Sequence, residues 1–266
     1  MDMRRIRVGI GGWNFEPWRN HFYPAGWPQA RELEYASRKL TAIEINSTYY
    51  SSQKPSTFAK WRAETPDDFL FSLKASRFAT NRRVLAEAGE SVQRFIASGI
   101  AELGPKLGPI VWQFAPTKKF DAADFEAFLK LLPAELKGQK LRHAMDVRHE
   151  SFRSSAYLAL ARRYGAATVF TESDDYPAIA DLTGDFVYCR VMRTSSELPQ
   201  GCTARVLDGL AASSRVWQQG GMPTGLPLVE AAPASGPERD VFLFFISGAK
   251  EKAPAAAMSL IERLKT

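Results

Sequence analysis

Glu44, Asp146 and Glu172 are carboxylates, Lys74, Arg148 and Arg190 are cations, and each stands at or near the end of a short apolar run. Together they could bind an anion and move a proton. Arginine meets phosphate or carboxylate through paired N–H donors, and lysine adds a point charge. A carboxylate beside such cations stays ionised, so Glu44 or Asp146 suits a general base better than a general acid. Buried charge is costly unless paired. Three residues of each sign therefore also fit a self-satisfied structural plug. Side chains two apart in a strand share a face. By that rule Glu44 goes with Asn46, Gln113 with Val111, Asp146 with Arg148, and Tyr188 with Arg190.

Other residues complete the candidate set. Glu44, Asp146 and Lys74 are the catalytic candidates. Trp13, Asn46, Tyr50, Gln113, Arg148, His149, Glu172, Tyr188 and Arg190 are the substrate-binding candidates. Asp146, Glu44, Glu172 and His149 could by type hold one divalent cation. Three scattered histidines do not make a metal signature, so no metal and no cofactor are expected. The first loop is aromatic (Trp13, Phe15, Trp18, Phe22, Tyr23, Trp27) and reads as a hydrophobic lid before it reads as a base-stacking surface.

The elements that must position these residues alternate. Strand-like runs lie at Ile6–Gly11, Ala42–Asn46, Leu70–Lys74, Ile110–Phe114, Arg142–Val147, Ala167–Thr171, Phe186–Val191 and Val241–Ile246. Helical patterns fall between most of them, at Gln29–Leu40, Ser56–Ala63, Glu90–Leu103, Asp121–Leu132, Ser154–Tyr164 and Pro254–Leu264. Tyr176–Gly184 is too short for a full helix, and Gly220–Asp240 reads as an irregular helix-to-strand connection. Eight strands alternating with helices predict an α/β fold, a single TIM-type (β/α)8 barrel over residues 1–266, irregular after strands 6 and 7. In such a barrel the polar strand ends converge on one mouth. Gly9-Ile10-Gly11-Gly12 does not continue as a dinucleotide-binding loop, because position 14 is asparagine.

Composition narrows the classes. The 266 residues are 45% hydrophobic and 24% charged, which excludes a disordered chain. The longest apolar runs are far shorter than the roughly 20 residues of a membrane helix. Two cysteines make neither a disulfide framework nor a cysteine zinc site, so a reducing cytoplasm is the expected location. A formal net charge of +6 is mild and speaks to solubility before nucleic acid.

Gly12-Trp13 with Trp18 and Phe22-Tyr23-Pro24, Glu44-Ile45-Asn46-Ser47-Thr48-Tyr49-Tyr50, Phe71-Ser72-Leu73-Lys74, Leu107-Gly108-Pro109 with Gln113, Asp146-Val147-Arg148-His149, and Tyr188 with Arg190 resemble the YecE-like family over nearly the whole chain. That resemblance implies a TIM barrel similar to the xylose isomerase and endonuclease IV type, and it supplies no reaction. The chain departs from the family pattern at Asn81, Asp146, Met192-Arg193 and Ile246-Ser247-Gly248. The leading expectation is an enzyme of hydrolase or isomerase type for a small anionic ligand. A nucleic-acid-binding or processing protein is the less favoured alternative, and a non-catalytic ligand sensor the third. Nothing in the sequence fixes an oligomeric state.

Overall fold

The computed structural model describes residues 5–233 and 235–265. Its elements run β1 (Ile6–Gly11), α1 (Glu32–Lys39), β2 (Ala42–Ile45), α2 (Ser47–Tyr50), α3 (Pro55–Glu64), β3 (Leu70–Lys74), α4 (Arg77–Thr80), α5 (Gly89–Ile96), β4 (Leu107–Gln113), α6 (Ala122–Lys130), β5 (His143–Asp146), α7 (Ser155–Arg163), β6 (Ala167–Glu172), β7 (Phe186–Val191), α8 (Ala204–Gln218), β8 (Asp240–Phe245) and α9 (Ala253–Lys265). The eight strands close into one parallel barrel in sequence order, with β8 pairing β1. A small hairpin, Glu135–Leu136 with Gln139–Lys140, stands outside it. All eight expected strands are present, within three residues at either end.

Alternation along each strand builds two cores. Ala42, Val111, Ala144, Val169, Tyr188 and Phe244 point into the barrel and pack together. Their neighbours, such as Ile43, Ile110, Met145, Val187 and Leu243, pack outward against the helices. Polar side chains take over the inward face toward the strands' carboxyl ends. Glu44 pairs in register with Gly11 and Ser72, Gln113 with Asp146, and Arg190 with both Thr171 and Phe244. The first glycines serve close approach: a Cβ on Gly9 would lie 2.0 Å from the Ala42 carbonyl oxygen, and one on Gly11 would lie 2.8 Å from Asn46 Nδ2.

Helix ends follow their sequence signals. Asp121 accepts from the Asp124 amide to start α6, and Ser154 accepts from the Tyr157 amide to start α7. Gly165 has φ +62° just past α7. The expected single helix over Glu90–Leu103 is instead two pieces. Gly99, at φ +110°, breaks it, and a 3-10 segment containing Pro105 follows. The longest helix, α8, buries Leu207, Ala211, Ser214 and Trp217 on one face and is capped by Thr203. No helix stands between β6 and β7, and residues 220–233 and 235–239 are irregular. Asp181 ties these two stretches by accepting from the Val229 and Glu230 amides. Among the described residues no helix is long and apolar enough to cross a membrane.

Candidate functional site

Arg190, on β7, is the centre of the polar layer. It is 1% exposed, and all three of its nitrogens donate to protein acceptors. Nε donates to Glu44 Oε2 at 3.0 Å, and Nη2 to Glu44 Oε1. Nη1 donates to Asp146 Oδ2 at 2.6 Å and to Gln113 Oε1 at 3.1 Å. Beneath it Tyr188, two residues earlier on the same face, donates to Glu44 Oε2 at 2.6 Å and contacts Ser72 Oγ at 2.7 Å. Burial and the Glu44 charge push the Tyr188 phenol well above its ordinary range, so it stays neutral.

Arg148 repeats the pattern nearer the mouth. Its Nη2 donates to Asp146 Oδ2 at 3.0 Å and to Gln113 Oε1 at 2.8 Å, and its guanidinium lies 4.3 Å from the centre of the Tyr176 ring. Gln113 Oε1 thus accepts from two arginines. Only the oxygen can do so, which orients the amide and leaves its Nε2 hydrogens without a partner among the described residues.

Lys74 differs from both arginines. It ends β3, whose position is fixed by Thr48 Oγ1 donating to the Lys74 carbonyl oxygen at 2.7 Å. Its Nζ makes no ion pair or hydrogen bond with any described residue and lies 4.2 Å from the centre of the Tyr49 ring. Burial, reinforced by the Arg190 charge, lowers its pKa from 10.5 to about 8. The Tyr49 hydroxyl is itself held by Asn81 Nδ2 at 3.2 Å, so asparagine here orients the ring under the lysine.

These groups open onto a cavity of about 750 Å³ at the barrel mouth. Trp13, Asn46, Tyr50, Lys74, Gln113, Arg148 and Arg190 all line it, so seven of the expected site residues meet there. Glu44 and Asp146 do not line it; they stand behind the arginines, fully buried. Tyr188 is inward but one layer deeper. Glu172 and His149 are elsewhere, for one reason of parity. Thr171 pairs with Arg190 and Arg148 reaches Gln113, so the next residue in each case leaves the inner face. Glu172 binds Arg193 at 3.2 Å, and burial raises its pKa. His149 Nδ1 lies 2.8 Å from Ser151 Oγ. The four candidate metal ligands are therefore dispersed, and among the described residues no three His, Cys, Asp or Glu side chains stand together.

Lys250 is the site residue that strand-end reasoning missed. It opens the short 3-10 helix Lys250–Lys252 after β8, outside any strand, with Nζ 4.3 Å from the Phe15 ring centre. The Trp18 indole donates to its carbonyl oxygen at 3.0 Å. The aromatic first loop thus acts as a packed cap: Trp18 and Tyr23 are buried, while Trp13, Phe15 and Trp18 form one cavity wall. Trp61 of α3 continues that wall and meets Trp13 edge-on at 5.2 Å.

Fold and site together define a (β/α)8-barrel protein with a cationic cavity at its carboxyl mouth. Residues 7–266 match the family described as Protein of unknown function DUF72, and the chain belongs to that family. It is 27% identical over 150 residues to the UPF0759 protein YecE of Escherichia coli (strain K12), covering 55% of this chain and 50% of that protein. It is 25% identical over 116 residues to the UPF0759 protein YunF of Bacillus subtilis (strain 168), covering 42% of this chain and 40% of that one. The matches thus span half or less of these relatives' length. A crystal structure of a DUF72 family protein from Thermotoga maritima MSB8 superposes with a TM-score of 0.72 at 20% identity, over 98% of this chain and 99% of that one. One from Enterococcus faecalis v583 gives 0.67 at 14% identity, over 98% and 96%. These likenesses establish the barrel fold and the YecE-like resemblance.

Proposed function

We propose that the protein is an enzyme of hydrolase or isomerase type that takes a small phosphorylated or carboxylated substrate into the mouth cavity. One observation carries this reading. Four cationic side chains, Lys74, Arg148, Arg190 and Lys250, line the cavity, and among the described residues no carboxylate does. The two carboxylates behind them offset the arginines, which leaves the two lysines uncompensated. An anion placed between Lys74 and Lys250 supplies the missing charge. Arg148 borders the same cavity, and Trp13, Asn46, Tyr50 and Gln113 set the anion's orientation. Glu44 and Asp146 then act by fixing the arginines, and Lys74, with its pKa lowered to about 8, is the reactive side chain of the cavity.

The test is calorimetric titration of the full chain with inorganic phosphate and glycerol 3-phosphate. Saturable binding that weakens with ionic strength is expected. Absence of binding by either anion at low salt overturns the reading.

A second reading, nucleic-acid binding, has one specific support. The loops after β3 and β4 form a groove lined by Arg82, Arg83, Lys118 and Lys119. Two aromatic side chains nearby, Tyr50 at 61% and Phe78 at 59%, are exposed, with Arg77 against both rings. Lys118 is already paired with Asp124 at 2.7 Å and Arg82 donates to Phe78 O and Ser91 Oγ, which makes this the weaker support. It predicts single-strand binding with a steep salt dependence.

A further inference from the structure

We infer that Lys74 is a nucleophile that forms an imine with the carbonyl carbon of an anionic aldehyde or ketone bound in the mouth cavity. This rests on the anion-binding reading above and names the substrate's reactive group.

The geometry separates Lys74 from every other cation at the site. Arg190 and Arg148 are ion-paired with Glu44 and Asp146 and donate to Gln113, with only the Arg148 Nη1 left over, whereas Lys74 Nζ has no acceptor among the described residues and borders the cavity. A lysine serving as a structural counter-ion would be paired. One serving as a general base would be aimed by a hydrogen bond. Lys74 is instead laid on the Tyr49 ring, a contact that leaves its lone pair free once the proton is lost. The charged groups facing it are Arg190 and Arg148, which disfavour its protonation, and Glu44 and Asp146, which favour it. Burial adds to the first pair and the balance lowers its pKa to about 8. At pH 7.5 its neutral fraction is on the order of a hundred times that of an ordinary exposed lysine.

The step balances without a further reactant. The amine lone pair attacks the carbonyl carbon, the C–N bond forms, and the carbonyl π electrons move to oxygen. A proton passes from nitrogen to that oxygen to give the carbinolamine. Protonation of the hydroxyl and expulsion of water then leave the C=N bond as an iminium. Arg148 and the unengaged Gln113 amide hydrogens border the same cavity and are suited to the transient negative oxygen. The Tyr49 ring that holds the ammonium also suits the iminium charge. Such an adduct favours bond changes beside a carbonyl over hydrolysis.

The experiment is borohydride trapping on the full-length protein at pH 7.5, with pyruvate and glyceraldehyde 3-phosphate as probes and propanal as the uncharged control. Peptide mass mapping locates the adduct. Enrichment of reduced adduct at Lys74 over the exposed lysines, greater for the anionic probes than for propanal and lost in Lys74→Arg, is expected. Circular dichroism checks that the variant is folded. Adduct spread over surface lysines, or concentrated at Lys250, with none enriched at Lys74 overturns the inference. If phosphate binds by calorimetry and Lys74 is not enriched, imine formation fails while anion binding stands. If phosphate does not bind and Lys74 is not enriched, both fail.

Discussion

Glu44 and Arg190 are 146 residues apart in the chain and meet inside the barrel as a bidentate pair, Nε to Oε2 at 3.0 Å and Nη2 to Oε1. Both are at most 1% exposed. The pair joins β2 to β7 across the barrel interior, and Asp146 on β5 joins it through the remaining donor. Two carboxylates on one guanidinium are electrostatically acceptable only because Arg148 shares Asp146.

Arg190 is accordingly a keystone before it is a ligand group. Arg190→Ala leaves Glu44 and Asp146 buried without their shared cation. Breaking a buried pair from one side typically costs about 3–5 kcal/mol. The expected result in urea denaturation is a loss of that order, with Arg190→Lys falling between. A variant as stable as the parent would show that the layer is solvated and loosely held.

Lys74 should have the opposite sign. In the folded protein its pKa is about 8, against 10.5 for the ordinary group. Below pH 8 the fold holds a poorly solvated ammonium, a cost of about 3 kcal/mol. Between pH 8 and 10.5 the unfolded chain binds a proton that the folded chain has released, so this cost fades as pH rises. Lys74→Met is therefore expected to be more stable than the parent at pH 7, with the gap closing toward pH 10. A less stable Lys74→Met at pH 7 would mean that the ammonium is well solvated in the cavity.

Much of this was legible from residue order because a barrel converts alternation into position. The eight short apolar runs mark the strands, and the two-residue period places Glu44, Gln113, Asp146 and Arg190 in one inward layer. Partner choice was not legible: nothing local to Arg190 says that Glu44 and Asp146 saturate it while Lys74 has neither. Glu172 and His149 lie outside the cavity by one residue of parity, since alternation at a strand's end or just past it does not reveal a side chain's face until the register with β7 or β4 is known. Lys250 was invisible because it is placed by a short 3-10 helix and by the Trp18 indole. Helix α8 carries an apolar stripe diluted by Ala, Ser and Gly, which weakens its periodic signal.

Lys250 is the residue to change for binding alone. It is exposed, makes no ion pair among the described residues, and holds its Nζ over the Phe15 and Trp18 rings. Lys250→Gln removes one of the two uncompensated charges and leaves the buried network intact. Its stability is expected to stay within about 0.5 kcal/mol of the parent. Phosphate affinity should fall roughly fivefold to tenfold, about 1 kcal/mol, with a shallower salt dependence. Unchanged affinity in calorimetry would remove Lys250 from the site.

His143 carries a separate pH dependence, away from the cavity. The Trp112 indole N–H donates to His143 Nδ1 at 3.0 Å, so the ring proton sits on Nε2 and donates to the Pro133 carbonyl oxygen at 2.8 Å. The Trp112 contact requires the neutral ring, and burial lowers its pKa below 6.5 against the Pro133 bond, which favours the charged form. As pH falls through 6.5 the unfolded chain takes up a proton that the fold refuses, so stability declines toward low pH. The slope approaches about 1.4 kcal/mol per pH unit for one proton. Urea midpoints between pH 7 and 5, above the main carboxylate range, should show this decline. His143→Gln can offer an acceptor to Trp112 and a donor to Pro133 without titrating, and it should flatten the profile. An equal slope in both proteins would place the titrating group elsewhere.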